Sequence, residues 1–274
     1  MLAQTARVFI TVMTYPQPSR SYRELVCTAG ITDAYEWVRL YPIDYRYQPR
    51  ERQFHKYQWV EVDLLPRGAG NDGRKESRKP VMESLKILGP PLDTRRDREW
   101  RARREIIDKM PIHTVRQLED LYERERVSLG VVRPSRVLDV KIEKTGREWT
   151  STKQVLFRQF SLFGDVQKPL VKIPFKFSYV FECEDSTSPH ERMIEDWELG
   201  VLYLNEVARM GDEREAAESV RYTYLHRLCS PDRDTRFFMG TTYPWNSWVV
   251  VGVFYPPKSP LDKQPSLFDR QDCN

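Results

Sequence analysis

An α+β fold is predicted for this chain: a small N-terminal β-barrel, a helical insert, and a second β-rich half carrying two helices. Three observations lead there. Runs rich in Val, Ile, Thr, Tyr and Trp crowd the first 66 residues. An Arg-dense stretch with helical spacing follows at 93–128. Alternating runs then resume and enclose a strongly signalled helix start.

The opening strands are read at 6–15, 23–32, 36–44 and 56–65. In the last, Trp59, Glu61 and Asp63 alternate with Val60, Val62 and Leu64, the period of a half-buried strand. Asp33 and Ala34 separate the second run from the third, which predicts a hairpin. Short strands joined by tight turns close into a small barrel or a strongly twisted sheet. Residues 67–80 hold three glycines and five basic residues and read as a mobile loop.

Helices follow at 93–110, with Ile106, Ile107 and Met110 as an apolar edge, and at 112–128, where Val115, Leu118, Leu121 and Tyr122 fall at helical spacing. Pro111 separates the two. Strands return at 136–144, 153–163 and 175–184; Phe175, Phe177, Tyr179 and Phe181 share one face of the last. Ser188, Pro189 and Glu191 have the order of a capped helix start, and Gly211 supplies a stop, so a helix is expected from 188 to 210. A second helix covers 212–228, and two strands around an aromatic turn occupy 234–257. The expected units are 1–92, a barrel; 93–130, helical; 131–257, α+β; and 258–274, an extended tail rich in proline.

Composition narrows the function classes. The 274 residues are 31% charged and 40% apolar, as in a globular chain able to bury a full core. No apolar run approaches the ~20 residues that span a membrane, so no membrane partner is expected. The start lacks the pattern of a signal peptide. Cys27, Cys183, Cys229 and Cys273 are scattered without a C-x-x-C pair, which points to reduced thiols and a cytoplasmic location. Net charge is +4, but of 44 basic residues 31 are Arg, the planar fork that grips phosphate bidentately. Codon bias accounts for the tilt equally well. Walker, G-x-G-x-x-G and G-x-S-x-G patterns do not occur, which disfavours nucleotide-driven motors, dinucleotide dehydrogenases and α/β-hydrolases.

Two constellations carry candidate chemistry. Between the third and fourth strands, Arg46, Arg50, Arg52 and Lys56 interleave with Tyr45, Tyr47, Phe54, His55 and Tyr57. Cations that neutralise phosphates beside rings that stack bases are the parts of a single-strand-binding groove. Arg74, Lys75 and Arg78 follow in the loop, and Arg39 lies on a strand. The plainer reading is a solvated loop whose rings pack on the barrel.

The second constellation is His190, Glu191, Asp196 and Glu198 in the 188–210 segment. On a helix, His190, Glu191 and Glu198 lie on or beside the apolar face and Asp196 points away, so these groups do not converge from one helix. His190 and Glu198 would stand about 12 Å apart along the axis. Glu191 is most simply a cap residue, His190 a structural histidine, and Glu198 a buried carboxylate answered by an arginine such as Arg236. Cys183 and His190 lack two further zinc ligands. No H-E-x-x-H spacing occurs, no cofactor is expected, and a divalent metal enters only if these residues form a nuclease.

Cys27, Ala29, Gly30, Trp37 and Arg39, within 23–43, resemble the opening of dual-OB-fold domains of prokaryotic mobile-element and defence-linked proteins. The resemblance covers about a tenth of the chain and implies an OB-like barrel that binds oligonucleotides. In the tail, Gln264, Leu267 and Phe268 are similar to the bacterial sliding-clamp-binding pentapeptide, with Pro265 where Leu is usual. Such a peptide offers a polar latch and two apolar anchors to a groove; docking back on the chain itself is the alternative. Three functions result: an accessory protein of DNA repair, replication or phage defence that binds DNA or RNA, single-stranded by preference, and docks on the clamp; a metal-dependent nuclease or base-processing enzyme; or a scaffold without nucleic acid.

Overall fold

Ten residues of nearly unbroken apolar and β-branched character, Gln4–Met13, form β1, the central strand of the N-terminal half. In the computed structural model, which describes residues 3–19, 24–69, 72–98, 100–151, 170–242 and 247–258, β1 pairs on one side with β4 (Thr28–Thr32) and on the other with β6 (Trp59–Leu64). Between β1 and β4 lies the two-stranded ribbon of β2 (Gln17–Pro18) and β3 (Glu24–Leu25). β5 (Trp37–Leu40) returns antiparallel to β4 across the expected hairpin. β7 (Ser77–Arg78) and β8 (Pro80–Ile87) complete a six-stranded sheet in the order β7-β5-β4-β1-β6-β8, curled into a half-barrel. The α+β, OB-like expectation holds.

Both faces of this sheet are covered. Val8 and Ile10 pack with Val38, Leu40, Phe54, Val60 and Val62 inside the curl. Phe9 and Val12, pointing the other way, meet Leu129, Val131, Phe238, Val249, Val251 and Phe254. Those residues belong to a second sheet, ordered β15-β14-β10-β9, built from Ile112–His113 (β9), Leu129–Val132 (β10), Arg236–Thr241 (β14) and Trp248–Phe254 (β15). A third sheet joins β11 (Arg136–Lys144), β12 (Phe175–Glu182) and β13 (His190–Met193). Its Phe177, Tyr179 and Phe181 build the C-terminal core with α2 (Val115–Glu125), α3 (Trp197–Met210) and α4 (Glu213–Tyr222). Among the described residues no helix is long and apolar enough to cross a membrane.

Local chemistry explains where elements start. Thr114 and Gln117 close a reciprocal capping box on α2. Asp212 caps α4, whose last turn runs on into a π-helical turn at Thr223–Arg227, and Gly211 at φ 75° ends α3 as its sequence position requires.

Four expectations are corrected. The helix read from 188 starts at Trp197: His190–Met193 is a strand paired antiparallel to β12, with Phe181 opposite His190. Ser188 and Glu191 give way as caps to Asp196, whose side chain accepts from the Glu198 N–H. The helix read over 93–110 shrinks to α1, Arg101–Ile107. Asp93 and Asp97 accept from the N–H groups of Arg95 and Ala102, locking turns, and Trp100 sits in the left-handed region at φ 57°. Residues 72–78 of the glycine-rich stretch are pinned rather than loose: Arg74 and Glu76 are buried and β7 joins the sheet. β8 and β10 also escape the sequence reading, β10 because Leu129–Val132 is only four residues long and buried throughout. The strand read at 153–163 and the tail with Gln264, Leu267 and Phe268 lie outside the described residues.

Gly30 marks a close approach of two strands. A Cβ there would run into the Phe9 carbonyl of the paired strand. Gly30→Ala is therefore expected to destabilise the fold by about 2 kcal/mol or more, read by urea unfolding. A change below 0.5 kcal/mol would show that β1 and β4 separate easily.

Candidate nucleic-acid interface

The segment 44–59 folds as two 3-10 turns, Tyr45–Tyr47 and Arg50–Arg52, and its rings turn inward. Tyr45 and Phe54 are buried, with the Tyr45 hydroxyl donating to the Phe54 carbonyl. Tyr57 is buried at φ 62°, and the Arg103 guanidinium lies 3.7 Å from its ring centre. Arg46 Nε stands 3.3 Å from the buried carboxylate of Glu24. Tyr47 is half-buried and His55 exposed. Arg50, exposed, and Arg52, half-buried, face solvent at the second turn.

The other expected contacts are also drawn inward. Arg39 is 2% exposed and donates to the Ser128 carbonyl and hydroxyl. Burial, with Arg74 nearby, lowers its pKa to about 10. Arg74 forks onto Asp72 and donates to the Thr241 carbonyl at 2.7 Å. Arg78 donates to the carbonyls of Lys75 and Ser77, and Lys75 makes an exposed pair with Glu125. The structure therefore does not gather these residues onto one open face. Both faces of the sheet pack into cores, which leaves its loops and edges to face solvent.

Two of the four residues named on the 188–210 segment do meet. The Lys56 ammonium lies 3.2 Å from Asp196 Oδ1 and 2.7 Å from Glu198 Oε2. Asp196 is 1% exposed at its side chain and Glu198 is 52% exposed, so the pair joins a buried cap to a solvent-facing carboxylate. Burial raises the Asp196 carboxyl to about 6 against the pull of Lys56, and Glu198 adds to the rise. One ammonium neutralises only one carboxylate, so the deeper of the two takes up a proton more readily. Burial opposes the charge on Lys56, but the two carboxylates outweigh it and hold the ammonium protonated.

His190 and Glu191 have partners of their own: His190 Nε2 is 3.0 Å from Ser186 Oγ, and Glu191 accepts from Lys141 at 2.6 Å. Burial, helped by Arg192, lowers the His190 pKa. Arg236 answers Asp108 and Asp234, not Glu198. No group of three or more His, Cys, Asp or Glu among the described residues is placed to hold a metal ion.

Solvent-facing cations concentrate instead at the turn and helix from 93 to 109. Arg95, Arg96, Arg98, Arg101 and Lys109 are exposed there, with Arg95 reaching 90% at its side chain while touching Asp93. The turns set by Asp93 and Asp97 keep the chain from burying this stretch in a long helix. The arginine density was visible in sequence; what marked it as surface was the pair of Asp residues placed to break the helix.

Asp196 supplies a pH test. Its folded pKa is raised above the ordinary 3.8, so the stability it contributes is fully present below that value and is lost as pH rises through about 6. Asp196→Asn keeps a capping side chain but removes the titration. Between pH 7 and pH 4 the difference in unfolding free energy between wild type and variant is expected to move by about 1–3 kcal/mol in favour of wild type. A flat difference in urea unfolding across that range would contradict the raised carboxyl.

A comparison with curated proteins finds no match. Among solved structures, "Structure and Conformational Change of a Replication Protein A Heterotrimer Bound to ssDNA" is similar at 14% identity with a TM-score of 0.29, covering 94% of this chain and 67% of that chain. A likeness at that level carries no weight for function. Residues 4–109 match the family model described as Domain of unknown function (DUF8758). Residues 111–272, more than half of the chain, match a second, and the protein belongs to the family described as Domain of unknown function (DUF8757).

Proposed function

We propose that this protein is a nucleic-acid-binding accessory factor, taking single-stranded DNA or RNA during repair, replication or phage defence. One observation carries the reading: Arg95, Arg96, Arg98 and Arg101 stand exposed within seven residues on a turn that the fold holds at its surface. Guanidinium forks suit phosphate oxygens, and an array of this kind neutralises several successive phosphates without reading sequence. Arg50 and Arg52, exposed and half-buried at the second 3-10 turn, are a second point of contact. The tail residues Gln264, Leu267 and Phe268 tether the factor to the sliding clamp, raising its concentration at replicating DNA.

Gel shifts across a salt series test the grip. Each phosphate contact on a single strand contributes about 0.7 to the slope of log affinity against log salt. Arg96→Ala/Arg98→Ala/Arg101→Ala is expected to weaken binding roughly 10-fold or more and to flatten the slope by about 2. Wild-type protein that shows no salt-dependent binding ends the reading. Leu267→Ala/Phe268→Ala is expected to abolish co-purification with the clamp; retention of the clamp by this variant removes the tether.

A second reading, a nuclease, is favoured by the meeting of Asp196, Glu198 and Lys56. Both carboxylates bind Lys56, but Asp196 is also committed to the helix cap and buried, whereas Glu198 is the one that faces solvent. Cleavage of labelled DNA with Mg²⁺ or Mn²⁺ that is lost in Glu198→Ala would establish it. Intact substrate under those conditions returns the choice to the binding factor.

A further inference from the structure

Beside the arginine turn lies a depression of about 640 Å³ lined by Tyr35, Arg101, Arg104, Glu105, Asp108 and Lys109. We propose that it seats one nucleotide unit of a single strand, with the base stacked on Tyr35 and the adjoining phosphate held by Arg101 and Lys109. The inference rests on the nucleic-acid-binding reading above and assigns it a place.

Tyr35 is unusual twice over. It sits at the tip of the β4–β5 hairpin at φ 58°, a left-handed conformation that Gly or Asn adopts at lower cost. The residue is also 46% exposed, so packing does not repay the strained backbone. A flat ring held out to solvent at a hairpin tip is a stacking platform, and stacking accepts any base.

The charge of the depression favours an anion. Asp108 lies 2.6 Å from Arg236, and Arg104 is bound to the Pro257 carbonyl at 2.6 Å and approaches Asp234 at 3.5 Å. Asp234 is shared by Arg104, Arg133 and Arg236 and held below its ordinary range by them, against burial. Arg236, 4% exposed, still keeps an Nε without a hydrogen-bond partner. The acids behind the depression are thus answered by more guanidinium groups than carboxylates. Glu105 is the one lining acid outside that cluster, set against Arg101 and Lys109.

The test uses the full chain and a fluorescent single-stranded 20-mer, read by anisotropy, with Tyr35→Gly, Tyr35→Phe and Arg101→Ala/Lys109→Ala. Tyr35→Gly relieves the left-handed backbone, so it folds at least as well as wild type by thermal melting, yet is expected to bind about 10-fold more weakly. Tyr35→Phe keeps the ring and is expected to bind like wild type. Arg101→Ala/Lys109→Ala is expected to lose affinity and lower the salt slope by about 1.4. On an abasic oligonucleotide wild type and Tyr35→Gly are expected to bind alike, because only the stacked base distinguishes them. Free nucleoside monophosphate is expected to compete only at much higher concentration than the oligonucleotide. Wild-type binding that is untouched in Tyr35→Gly overturns the seat while leaving the binding function standing. Absence of any binding by wild type overturns both. Equal competition by polyphosphate and oligonucleotide, indifferent to Tyr35, overturns the seat by showing charge attraction alone.

Discussion

The contact between the two halves of this protein is organised around a lysine ammonium removed from water and answered by two carboxylates. Lys56, just ahead of β6, is 6% exposed at its side chain, and Asp196, at the start of α3, is 1% exposed. Burying either charge alone costs several kcal/mol, so each requires the other. Around this contact the backbone of Thr14 bridges to Asp196 and that of Ile194 to Val250, so the entry to α3 is threaded between β1 and β15. The helix approaches closely enough that a Cβ at Gly200 would strike the Tyr15 ring. The Asp196 cap, these two bridges and the Gly200–Tyr15 contact together fix where α3 starts and what it packs on.

Arginine serves the same purpose elsewhere. Arg39 reaches from β5 to Ser128, and Ser128 in turn donates to the buried carboxylate of Glu76. Arg74 links Asp72 to the Thr241 carbonyl on β14. Arg236, Arg133 and Arg104 converge on Asp234 from three elements. A guanidinium is less strongly hydrated than an ammonium and offers its donors in a fixed plane, which suits it to span buried gaps between sheets. Three of the arginines, Arg39, Arg74 and Arg236, are thus buried as internal ties.

The exposed arginines run along the chain and are densest at 95–101. With alternate residues of β1 committed to opposite cores, the curled sheet has no open face for a ligand. Among the exposed groups are Tyr35 at the hairpin tip, the cations of the arginine turn from 93 to 109, and Arg50 in the 3-10 turn at Arg50–Arg52. These sit on short connections of a rigid frame, the usual places for binding groups.

The sequence by itself determined much of the framework. Alternation in Trp59–Leu64 and in Phe175–Glu182 specified strands and their inward faces, because the period of two is a local property of extended chain. The Thr114 box and the Gly211 stop fixed helix ends for an equally local reason. Tertiary structure decided the rest. Whether His190–Met193 became helix or strand depended on the free edge of β12, which is set by the pairing of the sheet and not by local propensity. Cations at 39, 56 and 74 had the same sequence signature as those at 50 and 98; only the arrival of Ser128, Asp196 and Thr241 from far along the chain separated buried ties from open charge. Side-chain type is inherited from the sequence, but the dielectric around it and the partner within reach are set by packing.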